Sequence, residues 1–348
     1  MAISIDGSYG EGGGQILRTA LSLSAVLGKG INIERIRAGR KKPGLRPQHL
    51  AGVRALGRIT DAKVGGDEIG SQSLTFSPGK VKGGVYRFNV AEERGSAGAI
   101  TLILQVLLLP LYFSPSSSEV TLLGGTHVPW SPPFHYFSMV LFPTLARMGL
   151  CCNAEIQRWG WYPKGGGEVR VKIVPVEELR SVNLSTGGSP RRIFGISGTS
   201  NLPAHIAVRQ KERAYQRAKE RLRLVADIQI VDKAPSPGQG TVLFLALESE
   251  GGLSGFSALG RRGKRAEDVA DEAMDQLIEH IDAGGCVDPH LSDQLIPFAA
   301  LANGKSIFTT SKITRHLLTN IWVVKQFVDV IIEVEGREGE TGRVEIHP

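Results

Sequence analysis

A mixed α/β fold of repeated strand–helix units, with a smaller α/β domain inserted into it, is the architecture that this 348-residue sequence predicts. Three observations point there. Short runs rich in β-branched residues alternate with longer apolar segments along most of the chain. Glycine-rich turns recur beside them, at Gly10-Glu11-Gly12-Gly13-Gly14, Gly95-Ser96-Ala97-Gly98, Gly124-Gly125-Thr126 and Gly165-Gly166-Gly167, as a duplicated supersecondary unit would require. Composition then shifts between about Val176 and Asp282, opening with the polar stretch 181–192 and including the turn Pro235-Ser236-Pro237-Gly238. The class is α/β (α+β): a large domain of repeated βαβ-type units over 1–178 and 283–348, and an inserted small α/β domain over 179–282.

The elements follow in chain order. Strand candidates over 3–6 and 31–36 enclose a helix over 15–27. A second helix, over 47–59, starts on Pro47, a residue suited to a first helical turn. Strands over 73–77 and 85–90 lead to a helix over 99–112. The apolar run there, Ile100 to Phe113, is interrupted by Gln105 and Pro110 and falls short of the roughly 20 residues of a membrane span, so it reads as a buried core helix. A strand over 119–123, a helix over 134–148 and a strand over 168–174 complete the part before the insert. After it come a helix over 292–302, a strand over 306–310, a helix over 314–327 and a strand over 328–334.

Within the insert, a helix over 205–225 carries Arg209, Lys211, Arg213, Arg217, Lys219, Arg221 and Arg223, followed by strands over 226–231 and 241–247 and an acidic helix over 266–281. The cationic helix can be read as an RNA-backbone surface or, since Glu212 and Glu220 interleave with its arginines, as an ordinary solvated face.

Hydrophobic residues make up 41% of the chain and charged residues 22%, which excludes a disordered polymer. The start, Met-Ala-Ile-Ser-Ile-Asp, has neither the basic nor the apolar region of a secretory signal, so a cytoplasmic protein without a membrane partner is expected. Cys151, Cys152 and Cys286 form neither a disulfide framework nor a zinc pattern. A formal charge of +7 and a pI near 9.4 suit an anionic partner, because lysine and arginine neutralise phosphates.

Three segments can carry chemistry. Gly7–Arg18 places a glycine-rich loop between a strand and a helix, where free backbone amides can hold phosphate. It is no Walker A loop, lacking Gly-Lys-Ser/Thr, and no dinucleotide fingerprint, since Gln15 stands at the third glycine; Gly304-Lys305-Ser306 fails likewise because Ala299 replaces the first glycine. Glycines kept only for tight packing explain the loop equally well, but Glu11 could hold a divalent ion and Arg18 a phosphate oxygen. The segment Arg37-Ala-Gly-Arg40-Lys-Lys-Pro-Gly-Leu-Arg46-Pro-Gln48-His49 gathers cations on a proline-stiffened loop suited to phosphate. Thr314-Arg315-His316-Leu317-Leu318-Thr319-Asn320 opens a helix with an imidazole able to attack phosphorus, although pattern alone leaves His316 an ordinary helix residue.

Together, Gly-Glu-Gly-Gly-Gly-Gln-Ile-Leu-Arg (10–18), Arg-Ala-Gly-Arg-Lys-Lys-Pro-Gly-Leu (37–45), Gly-Ser-Ala-Gly (95–98) with Gln105, and His-Leu-Leu-Thr-Asn (316–320) resemble the RNA 3′-terminal phosphate cyclases, in order along nearly the whole chain. The resemblance implies a large domain similar to that of the enolpyruvyl transferases, ATP as cosubstrate with Mg²⁺ or Mn²⁺, and an RNA bearing a 3′-terminal phosphate as partner. It implies that His316 attacks the α-phosphorus of ATP, that AMP passes to the RNA 3′-phosphate, and that the 2′-OH closes a 2′,3′-cyclic phosphate as AMP leaves. Residue by residue, it implies Glu11 for the metal and Arg18, Arg37, Arg40, Gln48 and Gln105 around the phosphates. It further implies Asp293 as a nucleotide contact, His290 packing on the adenine and Pro132, of the Pro132-Pro133 pair, bordering the base. Oligomeric state stays open, with a homodimer as one alternative.

One position departs from the family pattern: His127 follows Gly124-Gly125-Thr126 where aspartate or asparagine is expected. Two rivals share the architecture. Non-catalytic cyclase-like factors of ribosome assembly lack the nucleophilic histidine, and enolpyruvyl transferases use no covalent histidine.

Overall fold

A computed structural model describes residues 2–90 and 97–348; Gly95 and Ser96 of the 95–98 turn lie outside the described residues. The chain opens with β1 (Ile3–Asp6), α1 (Gly14–Leu27), β2 (Ile31–Glu34), α2 (Pro47–Thr60), β3 (Lys63–Gly65) and β4 (Leu74–Ser77). Their sheet has the order β1-β2-β4-β3, with the first pair parallel and the others antiparallel. The pattern repeats in β5 (Val85–Asn89), α3 (Ile100–Tyr112), β6 (Ser118–Gly124), α4 (Phe134–Tyr136), α5 (Phe142–Arg147), β7 (Cys151–Arg158) and β8 (Gly167–Val174), with the order β5-β6-β8-β7. A π-helical turn, Phe137–Leu141, joins α4 to α5.

After β9 (Leu179–Arg180) and β10 (Asn183–Leu184) the chain leaves the repeat. It forms β11 (Pro190–Ser200), α6 (His205–Arg217), β12 (Ala226–Val231), β13 (Gly240–Ser249), β14 (Leu253–Leu259) and α7 (Ala266–Ala283). These strands make their own sheet, β12-β11-β13-β14, over a separate apolar cluster that includes Ile193, Leu243, Leu245, Met274 and Leu277. The chain then resumes with α8 (Pro289–Ala299), β15 (Ala302–Asn303), β16 (Ser306–Thr310), α9 (Arg315–Lys325), β17 (Ile331–Glu335) and β18 (Gly342–His347). The third repeat has the order β10-β16-β18-β17, again parallel first and antiparallel after, while β9 pairs with β15. The expected repetition is therefore present three times, and the insert occupies the first crossover of the third copy.

Helices of the repeats pack on one another, α1 against α2, α3 and α9, and α8 against α9. In α3, Leu104, Leu107, Leu108 and Leu111 are at most 1% exposed, as a core helix requires, and each such side chain contributes about 1.5–3 kcal/mol of burial free energy. No helix among the described residues is long and apolar enough to cross a membrane.

Several strands escaped the sequence reading, β7, β11, β14 and β18 among them. In β11, Pro-Arg-Arg-Ile-Phe-Gly-Ile-Ser-Gly-Thr-Ser, small residues replace the β-branched ones because neighbours come too close. A Cβ on Gly198 would sit 2.4 Å from the Trp159 ring, and one on Gly195 would sit 2.0 Å from the Phe244 carbonyl oxygen. Such a strand is specified by what lies over it rather than by its own propensity.

Candidate active site

The loop between β1 and α1 is shaped by Asp6, whose Oδ1 accepts from the Ser8 amide (2.9 Å) and hydroxyl (2.7 Å). Gly10 (φ +54°) and Gly12 (φ +59°) adopt the left-handed conformation that glycine tolerates best. Close approach adds a second demand at Gly10, where a Cβ would lie 2.4 Å from Thr319 Oγ1. The Glu11 amide donates to that hydroxyl at 3.1 Å, tying the loop to α9. Gly13 caps α1 without a side-chain acceptor, so the first-turn amides receive no side-chain cap.

His316 stands in the first turn of α9, which is capped by Thr314 Oγ1 accepting from the Leu317 amide at 3.1 Å. Its Nδ1 is in hydrogen-bond contact with Gln15 Oε1 and lies 3.5 Å from Glu11 Oε2. An amide oxygen can only accept, so Nδ1 carries the proton and Nε2 keeps its lone pair. Partial burial, with Arg18, His290 and Arg40 nearby, lowers the imidazole pKa to about 4. Behind the ring, Arg40 forms an ion pair with Glu11 Oε1 and donates to the Glu11 carbonyl at 3.2 Å. Glu11 Oε2 is buried without a hydrogen-bond partner among the described residues.

A cavity of about 840 Å³ opens beside this cluster, within the range of small-molecule sites. Arg18, Gln105, Pro132, His290, Asp293 and His316 all line it, drawn from α1, α3, α8, α9 and the loop before α4. Its far wall comes from β14, the following loop and α7. Burial pushes the Asp293 carboxyl up to about 8 even with Arg18 nearby, and lowers Arg18 to about 10. Burial thus disfavours the charged form of each group, and the opposite charge of the other opposes that shift.

Of the remaining expected site residues, Glu11 and Arg40 sit behind His316 and outside the cavity lining. Arg37 also lies off the lining. Its guanidinium donates to the carbonyls of Lys42 (2.8 Å) and Gly44 (2.9 Å), folding the cationic loop on itself. Gln48 lines a small separate recess with Arg18 and His49, and its Oε1 accepts from the Ala99 amide at 3.4 Å.

The sequence reading missed the supports. Thr19 Oγ1 donates to Asn320 Oδ1 (2.6 Å) and Asn320 Nδ2 to the Asp293 carbonyl (2.6 Å), joining α1, α9 and α8 around the cavity. Gln105 Nε2 donates to Gln294 Oε1 (3.1 Å), whose own amide donates to the His290 carbonyl (3.0 Å). One signal was legible: Asn320 is four residues after His316 and shares its helix face.

His127 does not line the cavity. It is 1% exposed, with Nδ1 at 2.7 Å from Thr126 Oγ1 and Nε2 at 2.9 Å from His135 Nδ1, and it stacks on Trp159 at 4.3 Å. Burial drives its pKa well below the ordinary value, so it serves as a neutral packing residue.

Three arginines of the cationic helix of the insert are neutralised by acids of α7. Arg209 is bidentate to Glu267 (2.8 and 2.7 Å), Arg213 bidentate to Asp271 (2.8 and 3.2 Å), and Arg217 reaches Asp271 and Asp275. Reversing Arg213 and Arg217 to glutamate should lower the melting temperature of the chain. Thermal unfolding followed by circular dichroism checks the loss.

A family model described as RNA 3′-terminal phosphate cyclase matches residues 9–334. Proteins named RNA 3′-terminal phosphate cyclase are similar along their length. The one from Nostoc punctiforme is 46% identical over 93% of this chain and 94% of its own. The Methylococcus capsulatus protein is 46% identical over 99% and 96%, and that of Pyrococcus furiosus 43% over 99% and 98%. Among solved structures, the enolpyruvyl transferase NikO from Streptomyces tendae aligns with a TM-score of 0.35 and 10% identity, covering 99% of this chain and 48% of that one.

Proposed function

The chain belongs to the RNA 3′-terminal phosphate cyclase family of enzymes, and from that premise we propose that it uses ATP to convert an RNA 3′-terminal phosphate into a 2′,3′-cyclic phosphate, with His316 as covalent nucleophile. The observation that carries this reading is the neutral imidazole at the cavity, its Nδ1 held by Gln15 and its Nε2 left as the nucleophilic nitrogen.

In the first step the Nε2 lone pair forms a bond to the α-phosphorus of ATP and diphosphate leaves. The ring becomes cationic with its proton still on Nδ1, and the Glu11 carboxylate, 3.5 Å away, stabilises that charge. In the second step an oxygen of the RNA 3′-phosphate attacks the same phosphorus and the N–P bond breaks, returning its electron pair to Nε2. Adenylylation converts a poor leaving oxygen into an anhydride. The neighbouring 2′-OH, already part of the same ribose, then attacks the 3′-phosphorus, loses its proton and expels AMP.

Arg18 and Gln105 take phosphate oxygens from the cavity wall, together with the first-turn amides of α1. Arg40 acts through Glu11, and Arg37 and Gln48 act through the backbone they hold. Asp293 contacts the nucleotide, with His290 and Pro132 bordering the base. Glu11 Oε2, buried without a hydrogen-bond partner among the described residues, is the oxygen that would hold a divalent cation, Mg²⁺ or Mn²⁺, turning to it from the ring, and the ion when bound would offset triphosphate charge. A cytoplasmic setting accords with ATP use and with free Cys151, Cys152 and Cys286.

The test is intact mass after incubation with ATP and Mg²⁺, followed by end-group analysis of a 3′-phosphorylated RNA. Gain of one acid-labile AMP and formation of a cyclic end are expected. A chain that binds the RNA yet acquires no AMP under any divalent metal would instead be the non-catalytic kind of relative.

Two further outcomes follow from the site. Gln15→Leu removes the acceptor that fixes the tautomer and should slow adduct formation roughly 10- to 100-fold with little change in the ATP concentration for half-maximal rate, measurable by rapid quench. The pH dependence has a definite sign: the depressed pKa keeps the ring unprotonated, so the nucleophilic form is lost only as pH falls through about 4. ¹³C-histidine NMR should give that midpoint for the His316 ring, and a midpoint near the ordinary value of about 6.5 would contradict the burial argument.

A further inference from the structure

One wall of the cavity is the turn Val128-Pro129-Trp130-Ser131-Pro132-Pro133. Trp130 in it is 94% exposed and sits at φ +62°, a left-handed conformation uncommon for a bulky residue. Prolines on both sides, and a Ser131 hydroxyl donating to the Val128 carbonyl at 3.0 Å, hold the turn stiff. The other tryptophans are engaged: Trp159 and Trp161 are 4% exposed, and Trp322 stacks on Tyr9 with ring centroids 4.0 Å apart. An indole presented to water at a cavity mouth forfeits the burial that an aromatic ring ordinarily supplies, and suits a flat ligand that completes the stack.

Across the cavity, Arg261 follows β14 in the turn Gly260-Arg261-Arg262-Gly263. It is exposed, and among the described residues no hydrogen bond or ion pair engages its side chain, whereas Lys264 beside it is committed to Glu272. An unstacked aromatic plane and a guanidinium without a partner among the described residues, both lining one cleft, match a nucleobase joined to a phosphodiester. Base–aromatic stacking is tolerant of sequence, and cations track the backbone.

We propose that Trp130 is the stacking platform for the nucleobase at the 3′ end of the RNA and that Arg261 takes a backbone phosphate upstream of it, so that the turn and the insert together seat the terminal nucleotide beside His316. This assignment rests on the cyclase reading and deepens it by naming where the RNA is held.

Equilibrium binding of a short 3′-phosphorylated RNA to the full chain without ATP tests the platform independently of chemistry. RNA should quench indole emission of the wild type. Trp130→Ala should weaken binding about 5- to 100-fold, Trp130→Phe should recover most of it, and both variants should keep the wild-type circular dichroism. With an RNA whose terminal nucleotide is abasic, wild type and Trp130→Ala should bind alike. Arg261→Gln should reduce the slope of log affinity against log salt by roughly 0.7, one single-strand phosphate contact. Unchanged affinity in Trp130→Ala, or an equal loss on the abasic RNA, overturns the platform. Quenching by ATP alone and not by RNA assigns the ring to adenine and overturns it too. A wild type that binds no RNA removes the substrate reading itself, whereas one that binds RNA through Trp130 and gains no AMP removes only the covalent mechanism.

Discussion

Replacing His316 by alanine should abolish the covalent AMP adduct and lower RNA cyclisation by roughly 10⁴-fold or more, the scale seen when a nucleophile is removed from a site that otherwise still binds. The expectation rests on position as well as residue type. Among the ring nitrogens near the cavity, the one on His316 is held as a single tautomer by Gln15, flanked by a carboxylate and kept neutral by its surroundings. His127 and His135 are buried against each other, and neither lines the cavity. His316→Asn, nearer in shape, should behave as alanine does because it supplies no nucleophilic nitrogen. Intact mass after ATP treatment reads the result, and an adduct that persists in both variants would mean that another residue is the nucleophile.

Asp288→Ala should destabilise the chain by about 4 kcal/mol, the largest effect on stability expected of any one polar side chain at this site. Asp288 is fully buried at the N-cap of α8, and its two oxygens accept four separate donors. Oδ1 takes the amides of His290 (2.9 Å) and Leu291 (3.0 Å), Oδ2 the Gly255 amide (3.0 Å), and both take the Tyr136 hydroxyl (2.9 and 3.0 Å). Alanine would leave the Leu291 and Gly255 amides and the Tyr136 hydroxyl buried without an acceptor. Those donors lie on α8, β14 and α4, so the loss loosens the insert against the helix that carries His290 and Asp293. Denaturant unfolding should register it, with Asp288→Asn recovering part; a loss under about 1 kcal/mol would show that water replaces the carboxylate.

Much of this arrangement was legible in the chain itself. Strands 3–6, 226–231 and 306–310 were read to the residue, and the starts of α2 and α6 likewise, because local pattern and tertiary role agree there. Polar and small-residue strands were not. β7 is a largely exposed edge strand, and the glycines of β11 answer to the Trp159 ring over Gly198 and the Phe244 carbonyl beside Gly195. The arginines of α6 show the same limit: charge in a row suggests a ligand, but the acids that neutralise them lie some 55 residues away in sequence, on α7.

By itself the sequence determined the class of fold, and the family through residues 10–18, 37–45 and 316–320. These are properties of periodicity and of linear motifs, which survive without coordinates. Only the tertiary structure decided which nitrogen of His316 is free, that Arg37 folds its own loop, that Asp293 is buried beside Arg18, and that Trp130 meets water. Each of those depends on burial and on partners brought together from distant segments, and desolvation and hydrogen bonding act through space rather than along the chain.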